Sequence, residues 1–204
     1  MIPLVSLLAS PLLASPLLAS SLLTSRFLAS RRAYAAVTWI VAAVLAARIA
    51  EHWAGRTPPA DVILPLITAL LPAAVIAGST GHPFGELERV AARPLVPLRL
   101  VHMGLLVAVA LTAVIVRHAG STAPRDLVGM TGVALLTAAV LSAQLSWTVP
   151  LGYAVICIGA SSLGKPNLLV WPLLPVAHQG ATVLAAVLLG LGALASCVRR
   201  APID

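Results

Sequence analysis

Charge is scarce in this sequence. Of its 204 residues only 9% are charged, and just six are acidic: Glu51, Asp61, Glu86, Glu88, Asp126 and Asp204. A water-soluble domain cannot be built on that balance, because too little polar surface remains to face solvent. Cysteine is nearly absent as well. Cys157 and Cys197 lie far apart, both inside apolar runs, which excludes a disulfide framework or a cysteine metal site. Thiols in such places act as packing residues. No G-x-x-x-x-G-K-[ST] phosphate loop occurs, so the chain does not hydrolyse nucleotide by that route.

What the sequence does hold is apolar. Hydrophobic residues make up 60%, and the mean hydropathy is +1.02. The expected class is all-α: a polytopic membrane protein, with no room left for a separate soluble domain of ordinary size. The net charge is +7. In a chain this oily, basic residues flank membrane spans and set orientation, so no nucleic-acid partner is expected.

A spanning helix needs about 20 mostly apolar residues. Six segments are read as spans: 33–50, 61–78, 99–117, 127–146, 149–163 and 178–198, the fifth being the shortest. They form one transmembrane domain, 33–200, behind a leader, 1–32. With six spans both ends share one side. Arg26, Arg31, Arg32, Arg89, Arg93, Arg99, Arg199 and Arg200 then fall on that side, eight against the five of Arg48, Arg56, Arg117, Arg125 and Lys165. The excess of basic residues marks the cytoplasmic side, so both termini are expected inside.

The leader repeats every five residues, as in "LLASPLLASPLLASSLLTSRFLAS". Five residues turn a helix by about 500°, so the repeat builds no stable face. Pro11 and Pro16 each remove a helix hydrogen bond. Three readings stay open: an interfacial cytoplasmic leader, an extra apolar helix, or a low-complexity extension from a misplaced start. Leu22–Tyr34, with Arg26, Arg31 and Arg32, suits an amphipathic helix on the membrane surface.

Between the second and third spans stands the one charged island, "GHPFGELERVAARPLVPLRL", residues 81–100. Pro83 suits a first helical position, and Pro94 and Pro97 end the helix. Phe84, Leu87 and Ala91 recur at helical spacing; Glu86, Arg89 and Arg93 recur on another face. Glu86 and Glu88 lie toward the helix start and Arg89 and Arg93 toward its end, which suits the dipole. The spacing predicts a short amphipathic helix of about three turns. It either anchors a loop at the interface or docks a cytoplasmic partner in a groove.

This layout resembles the permease subunit of type-two ABC exporters. Leu22–Tyr34 resembles the family's leading amphipathic helix, "PFGELERVAARP" its coupling helix in the matching loop, and "GKPNLLVWPLLPVAHQGA", 164–181, its outer apolar hairpin. Prolines 166, 172 and 175 forbid a regular span there, and non-helical backbone at that depth must be buried in protein. The resemblance implies a multi-pass plasma-membrane protein that is not itself an enzyme. It implies a separate ATP-binding subunit as partner, with no cofactor on this chain, and pairing as a homodimer or with a related permease. It assigns partner contact to Phe84, Glu86, Leu87, Glu88, Arg89 and Arg93. The chain is shorter than usual for that class, with minimal outer loops. The alternative is a small non-transporting membrane protein, such as an immunity or assembly factor.

Three rival chemistries fit the residues less well. An ion-driven transporter needs ionisable groups within its spans, yet every acidic residue falls at a span end or in a loop. Gln144 and the hydroxyls of Thr68, Thr112, Thr137 and Thr182 are the main polar groups inside the spans. An intramembrane serine protease needs a Ser–His pair. "GASSLG" and "AHQGA" resemble the Gly-x-Ser-Gly and Ala-His-x-x-Gly motifs of rhomboid proteases and offer Ser161 and His178, but Ser162 and Ala181 stand where those motifs carry glycine. His52, His118 and His178 fall near one face, all at span ends, and no metal site is expected from them.

Overall fold

The computed structural model describes residues 33–54, 58–80, 96–117, 120–162 and 168–198. The charged island up to residue 95, the leader 1–32 and residues 199–204 lie outside the described residues. Among those described the chain is all-helical, with no strand. Six α-helices follow in order: α1 Ala33–Ala54, α2 Pro58–Gly78, α3 Val96–Arg117, α4 Ala123–Val140, α5 Thr148–Ser162 and α6 Gln179–Val198. One 3-10 segment, Leu168–Leu173, precedes α6.

Helix α4 is the hub. It packs most extensively on α6 and then on α2, and it also touches α3 and α5. Its buried residues include Leu127, Gly129, Met130, Gly132, Ala134, Leu135 and Ala138, which cover more than one face. Small side chains make this possible by letting neighbouring backbones approach closely. Gly132 and Gly192 form the tightest crossing. A Cβ on Gly132 would overlap the Leu188 carbonyl and the Leu189 nitrogen of α6. A Cβ on Gly192 would press on the Gly132 carbonyl oxygen.

The other helices bury one stripe each. On α3 it is Met103, Leu106, Ala110 and Val114, at helical spacing. On α1 it is Ala36, Ile40 and Ala47. The outward faces are apolar as well. On α6, Val183, Val187, Leu191, Leu194 and Val198 are exposed while Ala181, Ala185 and Gly192 are buried. Among the small residues, Ala185 and Gly192 pack inward, whereas Ala186 and Gly190 are exposed beside the large ones.

Helices α3 and α6 are long and apolar enough to cross a membrane by length and composition. Shorter apolar stretches occupy Ala35–Ala47, Ile63–Gly78 and Thr148–Ser161. Helix α5, with 15 residues, is about 22 Å long at 1.5 Å per residue, against about 30 Å of hydrocarbon. Helix α4 ends earlier than the periodicity suggests. The fourth span was expected to reach 146, but Leu141–Trp147 is a turn. Hydroxyls account for it: Ser142 Oγ accepts from the Leu145 N–H at 3.2 Å, and Thr148 Oγ1 donates to the Leu145 carbonyl at 2.7 Å. Gln144 is therefore an exposed turn residue, outside the helix. Thr68, Thr112, Thr131 and Thr137 each donate to the carbonyl four residues back in their own helix.

The crossing at Gly132 yields a direct test. Gly132→Ala should cost about 1–3 kcal/mol, because its methyl meets backbone that cannot yield. Gly190→Ala, with open space around it, should be neutral or stabilising by up to about 1 kcal/mol. Thermal unfolding of the two variants in detergent, followed by circular dichroism, should rank them in that order.

Candidate functional site

Among the described residues, the densest polar cluster gathers where α4 begins and the 3-10 segment meets it. The sequence "STAPRD" starts α4. Ser121 Oγ accepts from the Ala123 N–H at 3.2 Å. Pro124 stands at the first helical positions, where a missing N–H costs nothing. Asp126 lies in the first turn, which favours an acid. Its N–H donates to the Thr122 carbonyl at 3.0 Å.

The 3-10 segment cannot satisfy its own backbone. Pro172 lies within it and Pro175 just beyond, and both lack an N–H. Val170, at φ −109° and ψ 46°, leaves the helical region. Carbonyls freed in this way need donors from elsewhere. Arg125 supplies them. Its Nη1 donates to the Pro175 carbonyl at 3.0 Å. Its Nη2 lies 3.1 Å from the Trp171 carbonyl, 3.3 Å from that of Pro172 and 2.8 Å from that of Leu174. Nε faces Asp126 Oδ1 at 3.3 Å, and the two side chains are only 7% and 1% exposed.

The same guanidinium lies 6.0 Å over the Trp171 ring, a cation–π distance. Tyr153 of α5 stacks on that ring with centroids 6.3 Å apart and planes 20° from parallel. The indole is buried against Gly129, where a Cβ would overlap its Cη2 and Cζ2 atoms. Trp171, Leu174, Ala181 and Ala185 thus form a small core of their own, separate from the main one.

Magnitudes decide what this cluster contributes. Burying one ion costs several kcal/mol even after relaxation. Hydrogen bonds to a charged group return roughly 1.5–3 kcal/mol each. The bonds to the carbonyls therefore about offset the burial of both paired groups, Arg125 and Asp126. The yield is geometry: a proline-rich segment is fixed onto α4 and α5 at one place.

At the bundle's other end, α2 finishes with Ser79 and Thr80, which donate to the carbonyls of Ile76 at 2.7 Å and Ala77 at 2.6 Å. Ser79 Oγ also meets Nε2 of His102 on α3 at 3.3 Å, and His102 is buried. These two residues bracket the charged island. The island's own candidates, Phe84, Glu86, Leu87, Glu88, Arg89 and Arg93, lie outside the described residues.

The Ser–His constellation is not assembled. Ser161 Oγ donates to the Ile158 carbonyl at 2.6 Å, while His178 Nδ1 accepts from the Ala181 N–H at 3.2 Å and caps α6. Each is engaged with its own local backbone. Among the described residues no three His, Cys, Asp or Glu side chains are grouped to hold a metal ion. By sequence alone Arg125 is an outer topological charge and Asp126 a span-end acid, and neither stands out as a site residue. Adjacent opposite charges after a proline, at the mouth of an apolar run, were the available signal.

Comparison with known proteins yields no match to a family model, a curated protein or a solved structure.

The seat of Trp171 can be probed at Gly129. Gly129→Ala should push the indole out from between Arg125 and Tyr153. With Trp39, Trp53 and Trp147 replaced by Phe, the emission of Trp171 should shift to the red, and Gly152→Ala, in open space, should leave it in place.

Proposed function

We infer that the chain is the membrane-spanning permease subunit of an ATP-driven exporter. Its six helices cross the plasma membrane, and a separate subunit binds and hydrolyses ATP. An exterior of Val, Leu, Ile and Trp, over cores lined by small residues, supports a bilayer as the surrounding solvent. The reading keeps both termini and the island in the cytoplasm.

The observation that carries the coupling role is the Ser79–His102 contact. It ties the end of α2 to the start of α3, the two helices between which the island is slung. Helix α2 in turn packs broadly on the hub α4. A partner that grips the island would therefore push on a fastened pair of helices, and through α2 on the whole bundle. Phe84 and Leu87 are the apolar anchors of this docking helix; Glu86, Glu88, Arg89 and Arg93 set its charge complementarity. Arg125 and the 3-10 segment occupy the opposite, outer end in this reading. A second copy or a related permease completes the transporter.

Co-purification with an ATPase encoded beside this chain tests the reading. Glu86→Arg combined with Arg89→Glu should abolish ATPase recovery, whereas Ser79→Ala should retain recovery and lower the ATPase stimulation by the permease. Unchanged recovery in the double reversal overturns the docking role and leaves the non-transporting alternative. Ala92→Cys should react with a membrane-impermeant maleimide only in inverted vesicles; labelling from outside ends the orientation on which the reading depends.

A further inference from the structure

We propose that the segment Trp171–Pro175 is a lid over one end of the bundle, latched by Arg125, that opens as a unit while the helices stay assembled. This inference stands on the geometry of the cluster and does not require the permease reading.

Three observations carry it. First, Trp171 and Leu174 rest in a small core of their own, whereas the preceding Val170 belongs to the main core and Leu173 packs against it. Trp171 and Leu174 pack with Ala181 and Ala185, and partly with Val128, Tyr153, Leu184 and Leu188, apart from the main core. Such satellite clusters can separate without disturbing the larger one. Second, the 3-10 helix stops at Leu173, and beyond it the backbone is tied by Leu174 N–H to the Trp171 carbonyl at 3.2 Å and by His178 N–H to the Pro175 carbonyl at 3.0 Å. Third, one side chain of α4 takes up the carbonyls of Trp171, Pro172, Leu174 and Pro175 together. Four bonds converge on one guanidinium, so they form and break together.

The chemistry of the latch is specific. A planar cation with forked N–H donors can meet carbonyls spread over five residues, while an ammonium offers a compact point charge with only three donors. Asp126 Oδ1 accepts from Nε of the same guanidinium at 3.3 Å and holds it from behind. Trp171 is the plug. Its seat at Gly129 is bounded by Ala185 of α6 and by Tyr153 of α5. Lifting the lid would bare an apolar slot of indole size between α4, α5 and α6, with Arg125 and Asp126 at its rim.

The test uses the full-length chain in detergent or nanodiscs with Trp171 as sole tryptophan. Trp171 is 2% exposed, against 84% for Trp53, so its quenching by acrylamide reports the lid. Arg125→Ala should raise the quenching constant severalfold with helical circular dichroism retained. Guanidinium chloride far below denaturing concentrations should reverse that rise, and equal sodium chloride should not. Arg125→Lys should stay open and resist rescue. Unchanged quenching in Arg125→Ala removes the latch. Loss of helical signal in that variant removes the separable lid. If the variant cannot be purified, hydrogen exchange of the unaltered chain decides: amides of Trp171 and Leu174 should exchange faster than those of Thr131 and Ala134, and equal rates overturn the proposal.

Discussion

Helix α4 can be approached from several sides because its side chains are small, and the placement of the other elements follows from that. Gly132 lets α6 come to backbone contact. Gly129 leaves room for the edge of an indole. Ala134 and Ala138 are buried among the neighbouring helices. In lipid there is little hydrophobic gain from bringing helices together, so close contact between backbones has to supply the attraction. Dispersion falls off within a fraction of an ångström, which makes the small residues of α4 a condition of assembly.

A second constraint runs through the polar groups. Where the surroundings are apolar, a polar group is costly unless it is bonded. The threonines of the helix interiors meet this by donating to their own backbone. Pro172 and Pro175 create the opposite problem, since carbonyls remain where donors are missing. Arg125 answers it with one side chain, and Asp126 answers Arg125. The two ends of the bundle are thus built on different principles. One is closed by a hydroxyl–imidazole contact between adjacent helices, the other by a cation that gathers a loop.

Much of this was legible in the sequence. Apolar runs and basic flanks gave helix positions to within a few residues, because burial and exposure here both favour apolar side chains and the runs are continuous. Prolines 166, 172 and 175 marked a segment that no regular helix could occupy. The early end of α4 was hidden, since Leu141 and Leu145 continue the apolar pattern while Ser142 and Thr148 redirect the backbone locally. Arg125 was hidden for a different reason. Its partners are carbonyls, which every residue has, so no spacing of side chains announces them. The bracket at Ser79 and His102 was likewise silent, because a serine after a helix and a histidine near a helix start are each ordinary alone.

The separation between Arg125 and its acceptors has a consequence for biogenesis. The carbonyls it binds lie 46 to 50 residues further along the chain. A ribosome that has just completed α4 has therefore made the cation and its neighbouring carboxylate, but none of the backbone that will enclose them. During that interval Asp126, the very next residue, is the one partner of the cluster already present. Placing the two charges side by side means that α4 enters its surroundings with a nearly neutral start, and the loop that completes the site arrives afterwards, ahead of α6.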